Sequence, residues 1–228
     1  MLAILDITHK KVYLLDLDKK SLIQYTDPQL ADATDVALYN EEVFFFSPTK
    51  GVFKFTAENK ARVMIKTDTK WKQIDDIEIF NGNIYLLDSE GSDIYKYLVT
   101  ESGYSERASY FTGDKPSSLE KGADLTIDSA IYIASGDVVL KYLRGLPDPF
   151  DTIYPEKTPT LSGIYTTEDI EQMYVWDAKG GAVYVLGKDG EYMRQIASSI
   201  IGKAKDIFIY EDNVYVFDGK KLYSIPTD

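Results

Sequence analysis

Apolar positions recur along the chain in short runs that share one pattern. Each run is an apolar residue, an aromatic residue, two more apolar residues, and then Asp or Ser. Clear copies occupy residues 84–88, 173–177 and 214–218, and looser copies occupy residues 2–6, 43–47 and 131–135. Their starting points are separated by 41, 41, 47, 42 and 41 residues. A repeat of this length indicates that each copy belongs to one supersecondary unit of a modular fold.

Three further strand patterns accompany these runs. A preceding element opens with Asp, and a following element again mixes aromatic and aliphatic residues. The preceding elements are residues 35–39, 76–80, 124–128 and 206–210, the following ones are 52–55, 94–97, 139–142, 183–186 and 222–225, and a weaker fourth element covers 62–66 and 107–111. Turn residues such as Asn81 and Gly82 separate the elements, which is a hairpin signal. Each unit is therefore predicted to hold four short antiparallel strands.

The second strand of the unit is apolar on both faces, as in the run Phe44, Phe45 and Phe46. A strand with one solvated face would alternate between apolar and polar residues, so this sheet must be packed on both sides. Four-stranded sheets that repeat at this interval are typical of propeller blades. The prediction is an all-β, six-bladed β-propeller in a single domain over residues 1–228. The predicted blades are residues 1–27, 33–66, 74–112, 122–153, 161–198 and 204–228.

The two ends of the chain do not complete the repeat. Six full units of 41 residues would need 246 residues, 18 more than the 228 present. Blade one begins at its second strand and blade six ends at its third, which predicts an incomplete or irregular seam between the termini. This deficit favours a domain cut from a longer protein over a complete chain. The alternative is a five-bladed ring closed by strands from both ends of the chain, but some predicted strands would then belong to no blade.

The run from Tyr85 to Asp88 resembles the Tyr-x-x-Asp pattern of the YWTD and NHL classes of six-bladed propeller, and residues 221–225 are similar to quinoprotein-type blade repeats. The resemblance covers almost the whole chain as a repeat rhythm. It implies a propeller that serves as a binding platform or sensor domain, since only some members of these families are enzymes. Six-bladed lactonases and related esterases hold a metal ion in the central channel.

Composition narrows the function classes. The net charge of −12 disfavours nucleic-acid partners and direct contact with anionic membranes, because phosphates would repel the chain. The absence of Cys excludes disulfides, thiol catalysis and Cys-zinc sites, and a single His excludes a multi-His metal centre. No run of 18 apolar residues occurs, so no membrane span is expected. We expect a monomer, cytoplasmic if the chain is complete and otherwise located by its parent protein.

Acidic residues recur at two positions of the unit. Those opening the first strands are Asp35, Asp75, Asp76, Asp124 and Asp206, and those ending the second strands are Asp6, Asp88, Asp177 and Asp218. If the first strands line the channel, their carboxylates could hold Ca²⁺, which prefers oxygen ligands. The alternative is that each Asp accepts backbone N–H bonds, in turns or between neighbouring blades. A repeated position supplies a symmetric ligand set, whereas a catalytic ion needs an asymmetric one. We therefore favour the structural role and expect no cofactor.

Three other features stand outside the repeat. Residues 143–162 hold four of the eight prolines together with Phe150 and Tyr154, which indicates either a partner-binding loop or an irregular outer strand packed on blade four. Trp71 precedes a first strand, from which it could reach the channel rim and form part of a binding surface. His9 lies in a polar turn, where we expect exposure rather than general-base catalysis.

The sequence contains no asymmetric catalytic set, so an enzyme is disfavoured and no catalytic residue is assigned. It predicts a non-catalytic binding or sensing module that presents one face or the channel rim to a protein, peptide or glycan. The candidate binding residues are Trp71, Phe150, Tyr154, Asp35, Asp76, Asp124 and Asp206. The alternatives are a metal-dependent hydrolase of the lactonase or esterase type, and a purely structural module of a larger protein.

Overall fold

The computed structural model describes residues 1–227, which form strands, turns and three short 3-10 helices. The fold class is the predicted six-bladed β-propeller of antiparallel blades. The chain divides into two compact units, Met1–Tyr110 and Phe111–Asp228, and each contributes three blade sheets. The assignment of one domain to the whole chain stays a prediction. Within the described part of the chain, no helix is long and apolar enough to cross a membrane.

The first unit holds blades one to three. Blade one is the three-stranded sheet β1–β2–β3, blade two is β4–β5–β6–β7, and blade three has the order β13–β10–β9–β8. The strands are β1 (Leu2–Asp6), β2 (Lys11–Asp16), β3 (Ser21–Thr26), β4 (Asp35–Tyr39), β5 (Glu42–Ser47), β6 (Gly51–Phe55), β7 (Ala61–Lys66), β8 (Ile74–Phe80), β9 (Asn83–Asp88), β10 (Asp93–Tyr97) and β13 (Ala108–Ser109). Between the third and fourth strands of blade three, the chain forms the small hairpin β11 (Val99–Thr100) and β12 (Gly103–Tyr104). A 3-10 helix, Pro28–Asp32, links blades one and two.

The second unit holds blades four to six. Blade four is β14–β15–β16–β17, blade five is β18–β19–β20–β21, and blade six is the three-stranded sheet β22–β23–β24. The strands are β14 (Gly122–Ile127), β15 (Ile131–Ser135), β16 (Val138–Leu143), β17 (Leu146–Asp148), β18 (Gly163–Tyr165), β19 (Gln172–Asp177), β20 (Ala182–Gly187), β21 (Tyr192–Ala197), β22 (Asp206–Tyr210), β23 (Asn213–Phe217) and β24 (Leu222–Pro226). The 3-10 helices are Ser117–Lys121 and Ile201–Lys203. The incomplete first and last blades match the prediction.

The turn chemistry explains the tight hairpins. The β8–β9 ladder closes at the pair Phe80 and Asn83, leaving a two-residue loop. Its residues Asn81 and Gly82 have φ values of 50° and 75°. Two successive positive φ angles are the mark of a type I′ turn, whose twist matches that of the flanking strands. The hairpin predicted from these two residues is confirmed.

The second strands of blades two to five are buried on both faces, as predicted. Alternate residues of β5 show how: Phe45 packs in a cluster with Val12 and Leu14 of blade one, whereas Phe44 and Phe46 pack in another cluster with blade three. Each strand therefore contributes to two cores. Blades one and six depart from the prediction, because every residue of β1 is half-buried and the residues of β23 alternate between buried and half-buried.

Candidate functional site

Two of the repeated first-strand acids join neighbouring blades. Asp35 opens β4, and its Oδ2 accepts a hydrogen bond from the backbone N–H of Ile77 on β8, at 2.9 Å. Asp124 on β14 makes the corresponding bond with Ile164 on β18, also at 2.9 Å. The second oxygen of Asp35 accepts the N–H of Val36 at 2.7 Å. The predicted role in tying blades together is confirmed at these two positions.

The other first-strand acids have different surroundings. Asp206 is exposed, and its Oδ1 accepts the N–H of Ile207 at 2.7 Å. Asp75 accepts the N–H of Ser89 at 3.2 Å, which holds the end of β9. Asp76 lies beside Asp35, and the two carboxyl groups are hydrogen-bonded to each other. Asp35 and Asp76 belong to the first unit, and Asp124 and Asp206 belong to the second. A binding role for these four acids stays a prediction.

Asp35, Asp76 and Glu78 form a carboxyl cluster in the first unit. Glu78 follows Asp76 by two positions on β8, so the two side chains project from the same face of the strand. Burial raises the pKa of Asp35 well above its usual range, and the charge of Asp76 adds to this effect. The same two causes raise the pKa of Glu78. Glu78 is not among the residues predicted from the sequence, although its alternate position after Asp76 was a usable signal.

This cluster predicts a pH dependence of stability. Because the pKa of Glu78 is raised in the folded state, folded protein holds more protons than unfolded protein, and stability falls as pH rises from the unfolded pKa through the folded one. We expect Glu78→Gln to raise the free energy of unfolding at pH 8 by about 1 kcal/mol and to weaken the pH dependence. Urea unfolding at pH 5 and pH 8 measures both. The control is Glu58→Gln, at a side chain that is 77% exposed. Equal pH dependence in Glu78→Gln and the unmodified protein would contradict the prediction.

The acids that end the second strands organise turns. Asp88 is fully buried, and it accepts the N–H groups of Lys72, Gln73 and Gly91 at 2.9, 3.0 and 2.7 Å. Asp177 similarly accepts two N–H groups, those of Gly180 at 2.7 Å and Thr160 at 3.2 Å. Asp6 and Asp218 accept N–H groups of the turns that follow them. The predicted turn bonds are confirmed, but the predicted inter-blade bonds are wrong for Asp88 and Asp177. Their distant partners lie in the segment that enters the same blade.

Trp71 packs into the protein rather than standing free. Its indole N–H donates a hydrogen bond to the hydroxyl of Tyr97 at 3.0 Å. Its ring packs against the ring of Phe46 in an edge-to-face contact, with the centroids 5.7 Å apart. It is half-buried against the core cluster that blades two and three share. These contacts account for the residue structurally, and its assignment as a binding residue stays a prediction.

The proline-rich segment leaves the repeat after β17, and its residues 149–156 are called the strap here. Phe150 packs against Tyr132 of blade four, with ring centroids 5.9 Å apart. Tyr154 packs against Tyr184 and Tyr192 of blade five, at 5.1 and 6.4 Å. The strap therefore crosses from blade four to blade five with both rings directed into the same apolar cluster. It is partly the irregular packed segment that the sequence predicted, but it contacts two blades instead of one.

The middle of the strap is held against the turn between β20 and β21. The hydroxyl of Thr152 donates to the carbonyl of Gly190 at 2.9 Å. Gly190 has a φ of 96°, and a Cβ added there would lie 2.7 Å from the carbonyl oxygen of Asp151, so only glycine allows this approach. Burial raises the pKa of Tyr154 to about 12, and its hydroxyl has no hydrogen-bond partner within residues 1–227. Between the half-buried rings of Phe150 and Tyr154, Ile153 is 87% exposed.

Two further candidate features are a metal site built from acidic side chains and general-base catalysis by His9. Within the described residues, no group of three or more His, Cys, Asp or Glu side chains is placed to hold a metal ion. A channel ion of the lactonase type stays an untested alternative. The side chain of His9 is 68% exposed, and its Nδ1 lies 2.7 Å from Oδ2 of Asp6 in the same turn. This geometry describes a surface turn.

Comparison with known proteins yields similarity in structure only. No protein-family model matches the chain, and no curated protein sequence does. Virginiamycin B lyase from Staphylococcus aureus is 14% identical, with a TM-score of 0.66, over 95% of this chain and 73% of that one. A candidate gluconolactonase is 13% identical, with a TM-score of 0.60, over 84% of this chain and 72% of that one. A chain from a nidogen–laminin complex is 15% identical, with a TM-score of 0.58, over 87% of this chain and 80% of that one. At these identities the likeness establishes the propeller fold, in agreement with the repeat class inferred from the sequence.

Proposed function

We propose that the chain is a non-catalytic binding module whose ligand is a protein. The observation that carries the proposal is the strap, which departs from the repeat, is held by contacts with two blades, and exposes Ile153 between two half-buried rings that pack on the core. Loops fixed on a rigid scaffold commonly carry function. A large aliphatic side chain held out in water is suited to insertion into a partner's pocket.

The surroundings of the other candidate residues support this choice. Asp35 and Asp124 are used in bonds between blades, which accounts for them without a ligand. A glycan ligand would need exposed aromatic faces, yet Trp71, Phe150 and Tyr154 direct their rings into packed clusters. The neighbouring structures include a lyase and a member of a protein complex, so the fold alone does not choose between these functions. The lactonase-like alternative rests on structural similarity alone.

Site-specific photocrosslinking tests the proposal. A benzophenone amino acid replaces Ile153 in the whole chain, expressed in the organism that produces it. The matched control carries the same group at Leu22 on β3, a position that is 58% exposed. We expect an adduct of one defined mass from position 153 that does not form from position 22. Absence of any adduct from position 153, or the same adducts from both positions, would refute the proposed function.

A further inference from the structure

We propose that the strap and the turn beside it form a docking surface for a protein that has an apolar pocket bordered by Lys or Arg. The surface consists of an apolar centre, Ile153 and Met193, and an acidic rim formed by Asp151, Glu156, Asp189 and Glu191. This inference rests on the proposed function and adds the location of the surface and the chemistry of the partner.

The apolar centre follows from the packing of two tyrosines. The rings of Tyr154 and Tyr192 lie 6.4 Å apart and belong to the buried side of the strap and of β21. Ile153 precedes the first tyrosine and Met193 follows the second, and they are 87% and 52% exposed. Met193 is also the extra residue at a register shift between β20 and β21. Such a bulge turns a side chain away from the regular ladder. The two exposed apolar residues therefore flank the same pair of contacting tyrosines.

The acidic rim follows from the contact between the strap and the β20–β21 turn. The backbone of Asp151 approaches Gly190 so closely that no Cβ would fit, which places Asp151 beside Asp189 and Glu191. Asp151, Glu156, Asp189 and Glu191 are all exposed, and none of them forms an ion pair with another described residue. The neighbouring Lys188 is already bound to Asp128 at 2.8 Å. Lys157, directly after the strap, and Arg194, directly after Met193, are the other cations next to these segments, so the four carboxylates still leave a net negative charge.

An apolar centre surrounded by polar residues is the usual anatomy of a protein interface. Contiguous exposed apolar groups with a polar rim mark such sites on otherwise polar surfaces. Because complementary charges direct association and suppress wrong partners, the four carboxylates select a partner with basic groups at matching positions. A second copy of this chain is disfavoured, because each copy has a net charge of −12 and would present more negative charge to the rim.

The test combines the crosslinker at position 153 with charge reversal in the rim. Asp151→Lys and Glu191→Lys are introduced together, since neither side chain donates or accepts a hydrogen bond within the described part of the chain. Because exposed charge pairs contribute modestly to association, we expect the two reversals to lower the yield of the adduct by roughly fivefold. The control is Glu90→Lys with Glu101→Lys, two exposed positions in the first unit that produce the same change in net charge. This control is expected to retain the original yield, and thermal melting verifies that both double variants fold.

The outcomes separate the two proposals. No adduct specific to position 153 would refute the proposed function and this inference together. A specific adduct whose yield is the same in the rim variant would refute the basic partner while leaving the binding function intact. An equal loss of yield in both double variants would show that only the net charge of the protein matters. This result would also refute the proposed role of the acidic rim. An adduct with twice the mass of the chain would identify a second copy as the occupant and refute the proposed partner.

Discussion

Ile84→Asp is expected to unfold the first unit of the protein. Ile84 lies on β9, is fully buried, and packs in the cluster shared by blades two and three. A carboxylate at this position has no cation or hydrogen-bond donor to compensate its loss of hydration. We expect a loss of at least about 4 kcal/mol, a large part of the 5–15 kcal/mol that stabilises a typical protein. Urea unfolding, or insolubility of the variant, reports this loss.

The matched control is Ile153→Asp, which makes the same chemical change at a side chain that is 87% exposed. An aspartate there stays in water, so the free energy of unfolding should change by no more than about 0.5 kcal/mol. The comparison isolates burial as the cause of the effect at Ile84. If Ile84→Asp unfolds cooperatively at the same urea concentration as the control, the double-faced burial of second strands cannot be correct.

Asp88→Ala should cause the second largest loss of stability. The substitution removes both acceptor oxygens and leaves the N–H groups of Lys72, Gln73 and Gly91 without their partner. An unsatisfied buried donor costs about 1–3 kcal/mol, and water entering the new space recovers part of the total. We expect a loss of about 3 kcal/mol, which corresponds to a decrease of roughly 6–12 °C in the melting temperature of a chain of this size.

Asp218→Ala is the corresponding change at another copy of the repeat. Asp218 is half-buried whereas Asp88 is fully buried, so water can reach the N–H groups of Lys220 and Lys221 once the carboxylate is removed. We therefore expect a loss of about 1 kcal/mol or less. A clearly larger loss for Asp88→Ala than for Asp218→Ala would show that an aspartate at the same repeat position contributes to stability according to its burial. Losses of similar size at the two positions would argue against that explanation.

The sequence alone determined the architecture of this protein. The spacing of the apolar runs predicted the number of blades, and their composition predicted strands such as β5 and β9 that are buried on both faces. Asn81 and Gly82 predicted a hairpin turn, and their positive φ values confirm it. These features are readable because they depend on local properties. Hydrophobic periodicity and turn preference act over a few residues, and the repeat presents each signal several times.

Only the tertiary structure decided which side chains are available to a ligand. Phe150 and Tyr154 were predicted to bind, but their rings pack inward and Ile153 between them is the exposed residue. The carboxyl cluster likewise brings Asp35 of blade two together with Asp76 and Glu78 of blade three. The physical reason is that exposure and pKa depend on partners distant in the chain. Gly190, which contacts the strap, lies about forty residues beyond the start of the strap in the sequence. No pattern within the strap itself encodes that contact.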